Sequence, residues 1–150
     1  DKYSDNLSVE ELEIGEELGL SENEIVGLKK IRLYQGEFRK NVIKSCVNCI
    51  ITGVEYVQIL EAAHIKPWRL CSHEERLNAD NGVLLISTCH KLFDLGLISI
   101  SDECQLIVSP FMPSQELEKI NIRSMSQLNI PGWDRRRSYF NWHRQNIFQS

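Results

Sequence analysis

The middle of the chain constrains the fold most, because its hydrophobic pattern changes there from helical to strand-like. Residues 56–65 form a strand-like run, the Asn81-Gly82 pair signals a turn, and residues 83–86 form a second apolar run. Ser87 is placed to cap a short helix over residues 88–95. The pattern therefore predicts two short strands followed by a helix.

Helices and one hairpin are expected on either side of this unit. Reciprocal Ser/Glu capping boxes predict two early helix starts, and glycines predict helix ends. The apolar runs 97–100 and 105–108 flank a Ser-Asp-Glu-Cys turn, which is typical of a hairpin. The expected capping boxes are Ser8 with Glu11 and Ser21 with Glu24, and the expected helix ends are Gly19 and Gly96. Helices are expected over residues 22–33, 35–44 and 134–148.

Polar residues with catalytic potential occupy the same central unit. His64 lies at the end of the first strand, Asn81 at the turn and His90 on the helix. Asp94 follows His90 by one helical turn, so both side chains lie on one helix face and can reach one ion. Hydrolysis of a phosphodiester needs a base that activates water and a cation beside the developing charge. The unit can supply both.

The order and spacing of these residues resemble the His-Asn-His (HNH) endonuclease family, whose shared core is two strands and a helix around a metal ion. Further similar segments recur in the variety common in bacterial restriction and defence nucleases, so the resemblance spans about residues 32–148. Those segments run from Arg32 to Arg39, from Cys49 to Gly53, from Gly96 to Ile100, and from Trp142 to Phe148. The resemblance implies an enzyme that cleaves DNA with a divalent metal ion.

The resemblance also implies a role for each residue of the motif. His64 corresponds to the general base that takes a proton from water, and Asn81 holds the loop and orients His64. His90 corresponds to a metal ligand. One divalent ion is expected as cofactor, with magnesium first and manganese or nickel as alternatives.

The chain departs from the family pattern at Ala63. Many members have Asp or His at this position, where it binds the metal ion, and alanine cannot do so. Two replacements are left open. Glu61 has the same strand parity as residue 63 and so points to the same side, whereas Asp94 lies one helical turn beyond His90.

The cysteines argue against a structural zinc ion. Cys46 and Cys49 form half of a zinc motif, but no second pair follows in the sequence. The five cysteines are an odd number, and no secretory leader is seen. Reduced thiols in the cytoplasm are therefore expected, and no run approaches the roughly 20 apolar residues of a membrane span.

Charge is distributed unevenly along the chain, whose net charge is −4. Residues 1–24 hold nine acidic residues and one lysine, which leaves 16 basic and 12 acidic residues in the rest of the chain. A mildly basic body is compatible with phosphate binding, although the same charges also suit a solvated surface. The candidate nucleic-acid contacts are Arg39, Lys40, Lys66, Arg135, Arg136 and Arg137.

We expect an α+β fold, with a ββα-metal core and an added hairpin inside a helical frame. The expected domains are an acidic helical segment at 1–31 and an HNH nuclease domain at 32–150. The expected function is hydrolysis of double-stranded DNA, and the alternative, which Ala63 favours, is a non-catalytic DNA-binding or protein-interaction module on the same frame. Two further partners are left open: a second copy of the chain, and a sensor or DNA-recognition domain outside it.

Overall fold

The computed structural model describes residue 13 and residues 15–150. The chain divides into two compact units, residues 1–37 and residues 38–150. The expected capping box of Ser8 with Glu11 lies outside the described residues. The domain division between residues 31 and 32 stays a prediction.

The helix start in the first unit follows the sequence pattern. Gly19 has a φ of +73°, which favours glycine, and it ends a helical turn in which the Leu20 N–H donates to the Gly15 carbonyl at 2.8 Å. Ser21 and Glu24 then cap the next helix reciprocally, because the backbone N–H of each donates to the side chain of the other at 3.2 Å. Both predictions are confirmed.

Helix α1 (Glu22–Cys46) is one continuous element of 25 residues. The sequence pattern predicted two helices, at 22–33 and 35–44, and that division is wrong. No proline interrupts the stretch, and the glycine near the expected break, Gly36, costs a helix only about 1 kcal/mol relative to alanine. A helix of this length tolerates such a cost.

The second unit contains the strand–strand–helix arrangement that the sequence predicts, followed by a hairpin and further helices. In chain order, the elements after α1 are β1 (Leu60–His64), α2 (His73–Leu77), β2 (Gly82–Ile86), α3 (Ser87–Asp94), β3 (Ile98–Ile100), β4 (Leu106–Val108), α4 (Ser114–Lys119) and α5 (Trp133–Asn146). Strands β1 and β2 form one antiparallel sheet, and β3 and β4 form another. The fold is α+β, and its ββα unit with an added hairpin confirms the expected class.

Strand β1 is shorter than the predicted run over residues 56–65. Residues Val57–Ile59 form a 3-10 turn instead. The guanidinium group of Arg39 donates hydrogen bonds to the carbonyls of Val57 at 2.9 Å and of Leu60 at 2.5 Å. This arginine therefore ties α1 to the turn that leads into β1.

Side chains alternate between the two faces of the β1–β2 sheet. Glu61 and Ala63 share the face on which Glu61 contacts α3. His64 lies on the opposite face, against Phe38 of α1. Gly82 is the partner of His64 in the sheet, and a Cβ atom there would lie 2.5 Å from the Phe38 ring. Glycine at this turn is thus required by the close approach of α1.

The core of the second unit is formed by apolar side chains from α1, both sheets, α3 and α5. Its members include Phe38, Val42, Leu60, Ala63, Val83, Leu84, Leu85, Phe93, Ile98, Ile100, Leu106 and Phe140. Gly96 ends α3 with a φ of +72°, as predicted, and a Cβ atom there would lie 2.1 Å from the Ile147 carbonyl oxygen. None of the described helices is long and apolar enough to cross a membrane.

Candidate functional site

His64 ends β1 in a half-buried position that fixes its ring. The ring stacks on Phe38, with centroids 3.6 Å apart and planes 8° from parallel, and Trp68 meets it edge-on at 5.8 Å. Its Nε2 atom lies 2.9 Å from the carbonyl oxygen of Arg76. Because a carbonyl only accepts hydrogen bonds, Nε2 carries the proton of the neutral ring and Nδ1 keeps a lone pair.

The surroundings of His64 favour its neutral form. Burial lowers the pKa of His64 below its ordinary value of 6.5, against the hydrogen bond to the Arg76 carbonyl, and the positive charges of Arg76 and His90 lower it further. A neutral imidazole with a free lone pair can accept a proton from water near neutral pH.

Asn81 is buried and joins the segment that follows β1 to helix α2. Its side-chain oxygen accepts from the Lys66 N–H at 2.9 Å, and its amide group points at the Lys66 and Glu75 carbonyls, both at 3.3 Å. The same amide lies 3.2 Å from the Cys71 sulfur, and the Asn81 carbonyl accepts from the Ile65 N–H at 2.9 Å. Asn81 therefore holds the loop directly after the β1 histidine.

Helix α2 supplies the carbonyl group that orients His64. A capping box starts this helix: the Ser72 N–H donates to the Glu75 carboxylate at 2.9 Å, and the Glu75 N–H donates to the Ser72 hydroxyl at 3.3 Å. Glu75 also binds the Lys66 ammonium group at 3.1 Å, and Arg76 donates to the Trp68 carbonyl at 3.1 Å. The sequence pattern indicated only a helical turn here, although Ser72 and Glu75 have the spacing of a capping box.

A second group of polar side chains lies where α3 meets the Glu61 face of β1. The two carboxylate oxygens of Glu61 are divided between Ser87 Oγ and His90 Nδ1, each at 2.6 Å. On the other side of its ring, His90 Nε2 lies 3.3 Å from Asp94 Oδ2. The imidazole is thus held between two carboxylates, one at each nitrogen.

Ser87 was predicted to cap α3, and that prediction is wrong. The capping position is Ile86, which makes no side-chain capping bond, and Ser87 is the first helical residue. Its hydroxyl binds Glu61 instead, and this bond is the main reason why the pKa of Glu61 lies below its ordinary value, followed by the bond to His90. The Glu61 carboxylate is therefore ionised at neutral pH.

His90 and Asp94 offer one imidazole nitrogen and one carboxylate oxygen 3.3 Å apart on the same helix face. Across residue 13 and residues 15–150, no group of three or more His, Cys, Asp or Glu side chains is arranged to hold a metal ion. The pair His90 Nε2 and Asp94 Oδ2 is partly open to solvent, with 58% of the Asp94 side chain exposed. Two protein ligands with several waters is a coordination that Mg²⁺ accepts. Ala63 is fully buried in the core and contributes no ligand atom.

Comparison with known proteins bears directly on this arrangement. Residues 49–101 match the family model described as HNH endonuclease. Over this segment the chain is similar to HNH endonucleases. The match extends from the loop before β1 to the end of β3 and contains every candidate catalytic and metal-binding residue. It confirms the resemblance drawn from the motif and indicates nuclease activity on nucleic acid. No curated protein matches the chain.

Arg136, outside the HNH segment, was predicted as a nucleic-acid contact, and the structure contradicts this. Its side chain is fully buried. The guanidinium group donates to the carbonyls of Gly82 at 2.9 Å, Pro131 at 2.6 Å and Ala79 at 3.2 Å, and to the Ser45 hydroxyl at 2.7 Å. A buried arginine with this many acceptors holds the turn before β2 and cannot reach a phosphate.

The remaining basic candidates lie at or near the surface around the HNH segment. Lys40 is exposed, whereas Arg39 is half-buried and bound to the carbonyls before β1. Arg135 lies 3.2 Å from Asp80 and Arg137 lies 3.4 Å from Asp102, with more than half of each arginine side chain exposed. Lys66 is bound to Glu75 and lies 5.6 Å from the centre of the Trp142 ring. Their contact with nucleic acid stays a prediction.

The cysteines nearest the HNH core are buried free thiols. The Leu84 N–H donates to Cys46 at 3.5 Å, and the Thr52 N–H donates to Cys49 at 3.4 Å. A hydrogen bond between Cys49 and Cys89 lowers the pKa of Cys49 and raises that of Cys89. These thiols therefore join the loop before β1 to helix α3.

Proposed function

We propose that the chain is a metal-dependent endonuclease that hydrolyses phosphodiester bonds of double-stranded DNA. One observation carries the proposal: the ring of His64 is fixed by Phe38 and the Arg76 carbonyl so that Nδ1 retains its lone pair. The His90–Asp94 pair lies on α3, the helix that directly follows β2. A base and a cation site are thus supplied by one strand–strand–helix unit.

His64 acts as the general base in this proposal. Its Nδ1 atom accepts a proton from water, and the resulting hydroxide attacks phosphorus in line with the leaving 3′ oxygen. The product then carries a 5′ phosphate, which is an argument by analogy with the family. The lowered pKa of His64 keeps the ring neutral before the step, and the Arg76 carbonyl can accept from Nε2 throughout.

The cation site consists of His90 Nε2 and Asp94 Oδ2. A divalent ion there, magnesium first and manganese or nickel as alternatives, would offset the charge that develops on the phosphate. Glu61 lies beside Nδ1 of His90 and accepts a hydrogen bond from it, as carboxylates beside metal-binding histidines commonly do. Asn81 acts on the base indirectly, since it holds the loop that follows His64.

Surface charge supports nucleic acid as the substrate. We place Lys40, Lys66, Arg135 and Arg137 along the DNA backbone, where their charges would pair with phosphates. For Lys66, Arg135 and Arg137 the phosphates would replace the present carboxylate partners. Cutting both strands of a duplex is simplest with two copies of the site. A dimer on DNA is therefore part of the proposal.

The rival function is a non-catalytic DNA-binding or protein-interaction module. Ala63 favours it, because the buried methyl group cannot bind an ion where many family members have Asp or His. The two functions differ in one observable property, which is whether phosphodiester bonds are broken. Binding of DNA alone does not separate them.

The test is a plasmid-nicking assay on wild type, His64→Ala and the matched control His73→Ala, with magnesium, manganese or nickel and with a chelator. His73 lies at the exposed start of α2, outside the proposed machinery. We expect metal-dependent nicking that His64→Ala lowers by about 100- to 10,000-fold with DNA binding retained. Wild-type rates in a folded His64→Ala protein would refute the base assignment, and DNA binding without nicking by wild type would favour the rival.

A further inference from the structure

We propose that Ser87 is a positioning residue, whose hydroxyl holds Glu61 so that Glu61 fixes the ring of His90 with Nε2 turned towards Asp94. This inference rests on the proposed function, because that function assigns His90 and Asp94 to the metal ion. Ser87 itself touches neither ion nor substrate in this scheme. Its effect passes through one carboxylate to one imidazole.

The contacts that carry the inference form a continuous chain. Ser87 Oγ lies 2.6 Å from Glu61 Oε2, and His90 Nδ1 lies 2.6 Å from Glu61 Oε1. The Ser87 distance is in the range of strong hydroxyl hydrogen bonds to a charged acceptor, and the His90 distance is slightly shorter than is usual for an N–H donor. A hydroxyl and an imidazole N–H donate, so each oxygen of one carboxylate accepts from a different residue. Neither oxygen can turn without losing a bond.

Helical spacing explains why one carboxylate can meet both donors. Ser87 and His90 are three residues apart in α3, so their side chains lie on the same helix face. Glu61 approaches that face from β1, which is paired with the strand that leads into α3. The carboxylate therefore bridges β1 to the first turn of α3, on the side of His90 away from Asp94.

A purely structural role for Ser87 would be the helix cap that the sequence predicts. The structure assigns the capping position to Ile86, and the helix start uses no side-chain cap. The hydroxyl is thus directed at Glu61 and not at the helix backbone. Thr88 provides a matched control, because it is the next residue, is exposed and also carries a hydroxyl group.

The hydrogen bond from Ser87 to Glu61 also determines where the charge of Glu61 lies relative to the proposed ion site. A glutamate side chain is long enough to swing, and without Ser87 one of its oxygens has no partner. The carboxylate would then sample other positions, and the His90 ring would lose its fixed acceptor at Nδ1. With Ser87 present, Glu61 stays on Nδ1 and leaves Nε2 to Asp94 and the ion.

The first experiment measures the metal-free protein by nitrogen-15 NMR of the histidine rings. Wild type and Thr88→Ala should show a His90 Nδ1–H resonance that is protected from exchange with water, because Glu61 accepts that proton. Ser87→Ala should lose the protection, and Ser87→Thr, which keeps a hydroxyl, should restore it. Equal protection in folded Ser87→Ala and wild type would overturn the inference. If Ser87→Ala does not fold, Ser87→Cys is measured in its place.

The second experiment titrates the same proteins with manganese by calorimetry. Loss of an outer partner of a metal-binding histidine commonly weakens affinity by about 10- to 100-fold, and we expect Ser87→Ala to lie near the lower limit. Thr88→Ala should match wild type. Unchanged affinity in Ser87→Ala would overturn the inference. If wild type binds no manganese, the proposed function fails, whereas the NMR measurement still decides the role of Ser87.

Discussion

His143 should make the stability of the fold depend on pH. Its ring is 1% exposed and stacks on Phe93, with centroids 3.7 Å apart. Nε2 donates to the Phe93 carbonyl at 2.9 Å, and Nδ1 accepts from the Ser99 hydroxyl at 2.8 Å, so the neutral ring is satisfied at both nitrogens. Burial lowers the pKa of His143 to about 4, and the charge of Arg144 acts in the same direction.

The sign and size of the effect follow from the two pKa values of His143. In the unfolded chain the pKa returns to about 6.5, so between pH 6.5 and about 4 the unfolded state binds a proton that the folded state does not. The free energy of unfolding therefore falls as pH falls through this range and levels off below it. The two pKa values differ by about 2.5, which corresponds to ~3 kcal/mol.

The assay is denaturant unfolding of wild type and His143→Gln at several pH values between about 7.5 and 4. Glutamine keeps a donor and an acceptor but does not titrate. Subtracting the two unfolding free energies removes the carboxylates and His64, which titrate in both proteins. We expect the advantage of wild type to shrink by ~3 kcal/mol across this range. A difference that stays constant with pH would refute the reasoning.

Two further substitutions test how closely the core is packed around the site. Gly82→Ala should lower the free energy of unfolding by about 1–3 kcal/mol, because the new methyl group would lie 2.5 Å from Phe38; a neutral result in denaturant unfolding would show that α1 can move away. Ala63→Asp should destabilise the protein in a chelator, because residue 63 is fully buried, and manganese should recover part of the loss. Equal stability of Ala63→Asp and wild type in the chelator would contradict this.

The elements that carry the candidate site residues were largely predictable because these residues lie close together in the sequence. His64 ends one strand, Asn81 precedes the next and His90 lies on the helix that follows at once. Pairing of adjacent strands and a direct strand-to-helix step require no distant contact. Because the ββα unit needs no distant contact, the turn signal at Gly82 and the helix-end signal at Gly96 were sufficient to predict it.

Partners from distant parts of the chain could not be predicted. Arg136 shares a run of three arginines with Arg135 and Arg137, and nothing in the triplet distinguishes the buried one. Its acceptors include the Gly82 carbonyl and the Ser45 hydroxyl, which lie 54 and 91 residues away in sequence. Helical periodicity indicates that one of the three arginines faces the core. Only the fold determines which carbonyl groups lie close enough to accept hydrogen bonds from it.

The same limit applies to groups that act through the backbone. The Arg76 carbonyl orients His64, yet every residue except proline offers the same carbonyl with the same chemistry. Ser87 had a recognised use as a helix cap, and that common use concealed its bond to Glu61. Sequence patterns predict the frequent role of a residue type, whereas the observed role depends on which atoms the fold brings within reach.

Ala63 leaves the family's usual metal ligand missing, and the geometry of the site gives the carboxylates of Glu61 and Asp94 different positions around His90. Glu61 shares the face of residue 63 but lies about 6.6–6.8 Å further back along β1, so it meets the imidazole of His90 from behind, at Nδ1. Asp94 lies one turn beyond His90 and meets Nε2. In the proposed site, Glu61 would therefore not replace the missing ligand, and a bound ion would keep water at the place where residue 63 binds the ion in many family members. Such a site should favour ions that retain their waters, which is the behaviour of magnesium.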